Sequence, residues 1–330
     1  MHVLIASEGV IPVLQYGGIE RSIWYLGRDL TQLGHRVTYL VGKGSSCPFA
    51  KVVILDPGKT LVEQIPDDID VAHIVYIRKK ELGEIKIPYI SSVQVNFYDD
   101  RKLDINTVFV SENHANRYGS KAFVHNGMDW DDYGPVQLSN RRSYFHFLAN
   151  AAWSVKNVRG AIKVIQKTPH ETLHVLGGTR LNFNMGFRLT LSRRVKFHGM
   201  VGGGLKNSLL QGSKGMLLPV IWHEPFGISM TESLYFGCPV FGTPYGSQTE
   251  LITEDFGFLS NNASELALAI QSVESYSRKH CHEYACDQFN SVVMTKNYLA
   301  FYERVLNGEQ LNQNQPALVN TSEDRKLPWS

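Results

Sequence analysis

The sequence predicts an α/β protein in which two Rossmann-like domains, each built on a parallel β-sheet, face each other across a cleft. Apolar runs of strand length alternate with amphipathic helical segments along nearly the whole chain. A polar, turn-rich segment at residues 129–143 interrupts this alternation once, after which it restarts. The length of 330 residues is sufficient for two domains that each bury a core. Because ligands of such sheets bind beyond the carboxyl ends of the strands, the cleft is the expected ligand site.

Six buried strands are predicted for the first domain, at residues 2–6, 36–41, 51–55, 70–75, 88–93 and 107–111. A helix is predicted between the first two strands, because apolar residues recur there at steps of three or four positions, at Ile19, Ile23, Leu26, Leu30 and Leu33. Gly34 is the expected end of this helix. Strand, glycine-rich turn, helix and strand together predict a right-handed βαβ unit.

The second domain is predicted to alternate in the same way. Its strands are expected at residues 144–149, 172–178, 194–199, 215–219 and 239–243. Its helices are expected near 157–167, 182–192 and 204–212, and around Glu232. We therefore divide the chain into a first domain at residues 1–137, a second domain at 138–288, an amphipathic helix at 289–306 and a polar, loose tail at 307–330.

The composition excludes several classes of protein. The formal net charge is only +2, and no run of Lys and Arg predicts binding to nucleic acid. No stretch approaches the roughly 18 consecutive apolar residues of a membrane span, and Met1 leads into an apolar run too short for a secretory signal. The four cysteines, Cys47, Cys238, Cys281 and Cys286, form no CxxC pair and no zinc spacing, which favours a cytoplasmic protein.

The sequence motifs of two further classes of enzyme are absent from this chain. No Gly-x-Gly-x-x-Gly segment follows the first strand, which disfavours a nicotinamide-dependent dehydrogenase, and no Gly-x-Ser-x-Gly elbow predicts a serine hydrolase. Asp129 and Asp131 have the spacing of a metal-binding carboxylate pair. No third ligand is evident, and we prefer a turn in which these aspartates cap backbone amides. No metal ion and no other cofactor is therefore expected.

Two features are candidates for holding a phosphate group. Gly17 and Gly18 precede the first helix, where glycines allow backbone N–H groups to approach a phosphate; the alternative is a tight turn and nothing more. Lys156 stands at the predicted start of a helix, where a cation is unfavourable unless an anion joins it. The alternative for Lys156 is a solvated lysine, and the residues alone leave both alternatives open.

Two glutamates, Glu224 and Glu232, stand eight positions apart around a Pro-Phe-Gly turn. If the intervening residues were all helical, the pair would span ~12 Å, which is similar to the distance from sugar to ribose in a nucleoside diphosphate sugar. Carboxylates accept strong hydrogen bonds from pairs of hydroxyls, and Gly227 and Ile228 would direct backbone N–H groups at an anion. The segment therefore predicts a carboxylate at each end of a ligand, with a phosphate seat between them. The alternative for Glu232 is a solvated helix residue.

These residues carry a resemblance to a known family. Residues 223–252, which contain "EPFGISMTE", closely resemble the Glu-x7-Glu signature of retaining family-4 glycosyltransferases of GT-B fold. Five further segments resemble that family, at residues 16–41, 108–129, 153–162, 256–273 and 297–306. The resemblance implies that the last of these is a helix that crosses back to the first domain. It covers most of residues 1–306.

The resemblance implies a role for each matching residue. Glu224 would hold sugar hydroxyls and act with Lys156 in catalysis, and Glu232 would hold the ribose. The diphosphate would be bound by Gly17, Gly18 and Lys156, and by the amides of the turn formed by Phe226, Gly227 and Ile228. The nucleobase would meet the backbone at Met200 and Val201. His73 and Gln94 would lie on the acceptor or sugar side.

This chain departs from the family at two positions. Where the family usually has an arginine five residues before the lysine, this sequence has Ala151, unless Arg159 or another base substitutes. Gln94 stands where the family commonly has histidine, and glutamine can donate a hydrogen bond but cannot titrate. His73 matches a family histidine, although buried histidines with satisfied hydrogen bonds are common.

The resemblance implies a metal-independent, retaining transfer of a hexose-type sugar from a nucleotide diphosphate sugar to a glycan or lipid-linked acceptor, in the synthesis of a glycan, lipopolysaccharide or other glycoconjugate. The first domain would bind the acceptor and the second domain the donor. Peripheral contact with the inner face of a membrane is compatible with this function. Two alternatives stay open: a nucleotide-sugar-binding pseudoenzyme and a phosphorylase of the same fold.

Overall fold

The computed structural model describes residues 1–13, 17–75, 83–322 and 324–330. Tyr16, the first residue of the predicted Gly-Gly segment, lies outside the described residues. The chain divides into two units. The first unit consists of Met1–Asp129 and Phe289–Ser322, and the second of Trp130–Gln288 together with residues 324–330. In the part of the chain that is described, no helix has the length and apolar character needed to span a membrane.

The first unit contains one parallel sheet with helices. Its elements up to residue 117 are β1 (His2–Ala6), α1 (Gly18–Gln32), β2 (Arg36–Val41), β3 (Lys51–Ile54), β4 (Val71–Val75), β5 (Tyr89–Val93), β6 (Thr107–Phe109) and α2 (Glu112–Arg117). The six strands lie in the order β3-β2-β1-β4-β5-β6. Every residue of β1 and β4 is buried, as expected for parallel strands covered on both faces. All six predicted strands and the predicted first helix are confirmed.

The second unit repeats this arrangement. Its elements are β7 (Tyr144–Leu148), α3 (Val158–Gln166), β8 (Leu173–Leu176), β9 (Leu181–Asn182), β10 (Arg188–Leu189), β11 (Val195–Phe197), α4 (Gly203–Gln211), β12 (Ser213–Leu218), α5 (Ile228–Tyr235), β13 (Val240–Gly242), α6 (Gln248–Leu251), β14 (Gly257–Leu259), α7 (Ala263–Ala269) and α8 (Arg278–Gln288). The six parallel strands lie in the order β11-β8-β7-β12-β13-β14. The chain then returns to the first unit with α9 (Ser291–Leu306), which packs against α1.

In each sheet, the direction in which successive strands are added reverses at one place. In the first sheet the reversal lies between β1 and β4, and in the second it lies between β7 and β12. Connections on the two sides of such a point leave in opposite directions, which opens a crevice beyond the carboxyl ends of those two strands. Residues that directly follow β7 and β12 are therefore placed where a ligand of the second unit would bind.

The predicted helix near residues 182–192 is wrong. The chain forms an antiparallel hairpin there, in which Leu181 on β9 pairs with Leu189 on β10. The turn is made by Met185 and Gly186, which both have positive φ. Apolar and polar residues alternate strictly from 181 to 191, and a period of two residues is the pattern of a strand. The helix prediction gave the alternation of elements along the chain more weight than this local period.

The prediction of a loose tail after residue 307 is also wrong for much of its length. Leu318 is 7 % exposed and belongs to a core cluster of the first unit. The amide of Val319 donates to the carbonyl of Arg117. At the end of the chain, the amide of Leu327 donates to the carbonyl of Ile221, and Ser330 accepts from the amide of Ala263. Backbone hydrogen bonds fix this polar segment, and its side-chain composition does not reveal them.

Three of the buried histidines, which are at most 1 % exposed, lie in the cores of the units. Burial lowers the pKa of His73, His114 and His146 to about 3 in each case. The ring nitrogens of His73 lie 2.8 Å from the hydroxyls of Ser92 and Tyr302. Because folding keeps these rings neutral, protonation must favour the unfolded chain.

We expect acid to destabilise the first unit through His73. The unfolded histidine protonates below about pH 6.5 but the folded one does not until about pH 3, so each such group costs about 1.4 kcal/mol per pH unit as the pH falls through this window. His73→Gln should make the free energy of unfolding less dependent on pH between these values, as measured by urea unfolding at several pH values. Ile90→Val is the control, because it removes a methylene from β5 without removing a titrating group. An unchanged pH dependence in His73→Gln would contradict this account.

Candidate active site in the second unit

An ion pair joins the two loops at the reversal of the second sheet. Lys156 follows β7 and Glu224 follows β12, and the ammonium lies 2.6 Å from Glu224 Oε2. The indole N–H of Trp222 donates to the same oxygen at 2.9 Å. The ammonium also lies 5.0 Å from the centre of the Trp222 ring, within the range of a cation–π contact. The side chains of Lys156 and Glu224 are 14 % and 6 % exposed, so the pair is largely shielded from water.

The lysine loop is held in place by hydrogen bonds to the loop that follows β12. Asn157 adopts a left-handed conformation, caps α3 by accepting from the amide of Gly160, and donates to the carbonyl of Pro219. The amide of Ile221 donates to the carbonyl of Val155 at 2.8 Å. The position of Lys156 is therefore fixed from both of its sides.

The conformation of the loop that carries Glu224 requires a glycine at position 246. The chain at Glu224 pairs with Gly246 in a short parallel bridge, and the amide of Ser247 donates to the carbonyl of Glu224. Gly246 has a φ of 64°, and a Cβ atom there would overlap the backbone of Glu224. A side chain at position 246 would therefore displace the carboxylate from Lys156.

The predicted phosphate seat falls at the first turn of α5. Its N-cap is Gly227, with a φ of 82° and no side chain to bind the first amides of the helix. The helix starts at Ile228 with its positive dipole end at the same turn as Glu224. The side chain of Phe226 is only 2 % exposed and points into the core, so this residue can offer a ligand its backbone but little of its ring.

Glu232 lies within α5 and is also buried, at 3 % exposure. Its Oε1 accepts from the ammonium of Lys206 on α4 at 2.5 Å and from the hydroxyl of Tyr133 at 2.7 Å. The ammonium of Lys206 lies 4.7 Å from the centre of the Tyr133 ring. The interpretation of Glu232 as a solvated helix residue is therefore wrong, because it is the centre of a buried, charge-assisted network.

The predicted nucleobase contact follows β11. Met200 is 50 % exposed, whereas Val201 is 6 % exposed and precedes α4. The carbonyl and amide of Gly199 pair with Gly178, the residue that follows β8 by two positions. These contacts place Met200 and Val201 beyond the carboxyl end of β11, as the sequence predicts.

The remaining candidates belong to the first unit. Gly17 is the N-cap of α1 with a φ of 146°, and Gly18 is its first residue. His73 is 1 % exposed and both ring nitrogens contact hydroxyls, which favours a core histidine over one that meets a sugar. Gln94 follows β5, is partly exposed, and accepts from Asn126 through its Oε1.

At the position where the resembling family usually has an arginine, this chain has a buried alanine. Ala151 is 5 % exposed, and its amide donates to the carbonyl of Gly177. Arg159 does not take the place of that arginine, because its guanidinium donates to the carbonyl of Phe187 in the β9–β10 hairpin.

Two patterns with metal-ligand spacing have other contacts in the structure. Asp129 pairs with Arg28, and Asp131 lies in a short 3₁₀ turn. The segment from His170 to His174 has His-Glu-x-x-His spacing, which binds zinc only on a helix. Here the segment leads into β8, and Glu171 is paired with Lys214 at 2.8 Å. Among the described residues, no three or more His, Cys, Asp or Glu side chains are grouped so that they could hold a metal ion.

Sequence reasoning missed three residues of the site: Trp222, Lys206 and Tyr133. Trp222 precedes Glu224 by two positions, and an aromatic ring so close to a candidate carboxylate was a usable signal. The sequence contains no such signal for Lys206 and Tyr133. Their contact with Glu232 depends on how α4 and the start of the second unit pack against α5.

Comparison with known proteins gives one family match, which lies within the second unit. Residues 135–287 match the family model described as "Glycosyl transferases group 1". The match therefore includes the loops of Lys156 and Glu224, the helix that contains Glu232, and the whole second sheet. No curated protein matches the chain significantly.

Solved structures match nearly the whole chain. AviGT4, a glycosyltransferase involved in avilamycin A biosynthesis, is 18 % identical with a TM-score of 0.72, covering 93 % of this chain and 98 % of its own. Sucrose-phosphate synthase from Thermosynechococcus elongatus is 16 % identical with a TM-score of 0.73, covering 93 % and 100 %. HepE from Anabaena in complex with UDP-glucose is 14 % identical with a TM-score of 0.64, covering 92 % and 99 %. The chain thus has the GT-B fold of these glycosyltransferases, and its residues 135–287 match the model of glycosyl transferases group 1.

Proposed function

We propose that the chain is a retaining, metal-independent glycosyltransferase of family 4 that moves a hexose-type sugar from a nucleoside diphosphate sugar to an acceptor hydroxyl. The observation that carries this proposal is the pair of Lys156 and Glu224 at the reversal point of the second sheet. The family match over residues 135–287 supports a glycosyl transfer function. HepE, which has the same fold, binds UDP-glucose, and this supports a nucleotide sugar as the donor.

Lys156 would stabilise the diphosphate as it leaves the sugar. An ammonium has three N–H donors, and Glu224 accepts one of them in the structure. The others could donate to phosphate oxygens, while the first amides of α5 approach the same anion from the helix N-terminus. Charge that develops on the leaving group would meet these groups already in place, which is electrostatic preorganisation.

Glu224 would bind the hydroxyls of the transferred sugar, and Glu232 those of the ribose. A carboxylate has about four acceptor sites, so a ribose diol could share Glu232 with Lys206 and Tyr133. Those two donors would hold the carboxylate in one orientation before the donor binds. The Glu-x7-Glu signature would then have one carboxylate for each end of the donor.

The finer assignments follow from the same proposal. We propose that the second domain, residues 138–288, binds the donor and that the first domain, residues 1–137, binds a glycan or lipid-linked acceptor through the region of Gln94. The helix at 289–306 would connect back to the first domain. The enzyme would act in the cytoplasm, in the synthesis of a glycan, lipopolysaccharide or other glycoconjugate.

A second candidate function is supported by one observation. Ala151 stands where the resembling family usually has an arginine, and Arg159 is bound elsewhere. A protein that binds a nucleotide sugar without transferring it would tolerate this loss. Turnover of a bound donor distinguishes the two, because a binding protein would bind the nucleoside diphosphate sugar and release no product.

The first prediction for this site distinguishes the roles of Glu224 and Glu232. A thermal-shift comparison of UDP, GDP and ADP first identifies the nucleotide. Glu232→Gln should then weaken its binding by about one to two orders of magnitude, because charge-assisted hydrogen bonds to the ribose are worth roughly 1.5–3 kcal/mol each. Glu224→Gln should leave that affinity nearly unchanged and lower kcat, because sugar positioning matters most in the transition state. Calorimetry and steady-state rates measure both.

The control for Glu232→Gln is a variant in which Lys206, the partner of Glu232, is replaced as well. Since the single change leaves the ammonium of Lys206 buried without its carboxylate, some loss could come from disturbed packing. The double variant Glu232→Gln/Lys206→Met removes both charges. Weak nucleotide binding in the double variant would confirm the ribose contact, whereas recovered binding, or equal losses in Glu224→Gln and Glu232→Gln, would contradict it.

The second prediction concerns metal ions. The diphosphate charge would be met by Lys156 and by helix amides, so EDTA should leave the rate of transfer essentially unchanged. The rate is measured with the identified donor after chelation and again after addition of Mg²⁺ or Mn²⁺. A strict requirement for either ion would refute metal independence and would return Asp129 and Asp131 to consideration as ligands.

A further inference from the structure

The β9–β10 hairpin directs its apolar face to solvent. Six side chains on it are largely exposed: Leu181 at 46 %, Phe183 at 71 %, Met185 at 69 %, Phe187 at 60 %, Leu189 at 51 % and Leu191 at 80 %. Leu181 pairs with Leu189 across the hairpin, and the rings of Phe183 and Phe187 lie 5.7 Å apart. Since alternate residues of a strand share one face, these side chains form a continuous apolar surface.

The polar face of the same hairpin packs against the protein. Arg188 is only 5 % exposed, and its guanidinium lies 4.9 Å from the centre of the Phe197 ring on β11. Arg188 also donates to the carbonyl of Thr179, and Arg180 donates to the carbonyl of Thr190. Arg159 on α3 binds the carbonyl of Phe187. These contacts fix the orientation of the hairpin, so the apolar face cannot turn inward without breaking them.

The charged residues of the hairpin and its flanking segments are all basic. Residues 178–200, which include the hairpin, contain five lysines and arginines and no acidic residue. Around the hairpin, the cationic side chains of Arg159, Arg180, Arg193 and Lys196 are exposed. An exposed apolar surface flanked by cations is complementary to a layer with anionic headgroups above hydrocarbon.

We propose that the β9–β10 hairpin is a docking element for an anionic lipid bilayer. Its apolar face would insert among the headgroups, with Phe183, Met185 and Phe187 at the deepest point, and the surrounding cations would contact lipid phosphates. A second copy of the chain is a poorer partner, because two such basic surfaces repel each other. A nucleic acid is also a poorer partner, since four of the six apolar side chains are aliphatic and stack weakly on bases.

The experiment is flotation of the purified full chain with lipid vesicles, which requires no donor or turnover and is therefore independent of the proposed function. The wild type should float with vesicles of phosphatidylcholine containing about 30 % phosphatidylglycerol, and much less with phosphatidylcholine alone. Phe183→Ser/Phe187→Ser should weaken partitioning by about 100-fold, since each phenylalanine contributes on the order of tenfold. Arg193→Glu/Lys196→Glu should remove the preference for anionic lipid.

The matched control is Leu268→Ser/Val319→Ser, which removes two side chains of similar exposure, 69 % and 71 %, from other surfaces. It should float like the wild type, and urea unfolding should show that all variants are folded. The proposal is overturned if the wild type does not float, or if the Phe183/Phe187 variant floats as the control does. It is equally overturned if that variant instead abolishes a dimer seen by sedimentation, or abolishes binding to single-stranded RNA, while vesicles are not bound.

Discussion

The second unit depends on keeping its buried carboxylates paired with cations. Glu232 and Lys206 are both under 10 % exposed, and their contact joins α5 to α4. Breaking such a pair by removing one partner costs roughly 3–5 kcal/mol, since a buried charge is left without compensation. Glu224 and Lys156 connect the ends of β12 and β7 in the same way. The residues best suited to hold a ligand therefore also hold the loops and helices of the site together.

The fold was predictable where the apolar pattern was long and regular. Fully buried strands such as β1 and β4 read as continuous apolar runs, and α1 has a clear helical period. The hairpin at residues 181–189 was missed because the regular alternation of strands and helices along the chain was given more weight than its two-residue period, and that period does not show that its apolar residues face outward. The C-terminal segment was missed because backbone hydrogen bonds, such as that of Leu327 to Ile221, leave no trace in side-chain composition.

The positions of the candidate site could be chosen from the sequence, but the contact partners could not. Lys156 stands at the predicted start of a helix, and Glu224 and Glu232 flank a Pro-Phe-Gly turn in a segment that resembles a known signature. In the structure, Lys156 and Glu224 follow the two strands that meet at the reversal of the sheet. Tyr133 and Lys206 could not be chosen, because they are 99 and 26 positions away from Glu232 in the sequence. The order of strands and the packing of α4 and α5 bring them together, and neither follows from a local pattern.

The discontinuity of the first unit has a consequence for its synthesis on the ribosome. The bond between His73 and Tyr302 joins residues 229 positions apart, and Leu318 completes a core cluster that begins at Val93. While the second unit is being translated, the first unit lacks α9 and the segment around Leu318, so apolar surface on α1 and around Val93 stays uncovered. Such surface attracts chaperones and favours misassembly in nascent chains. The slow translation of some 160 intervening residues, at about 5–20 residues per second, therefore sets how long the unfinished unit needs protection.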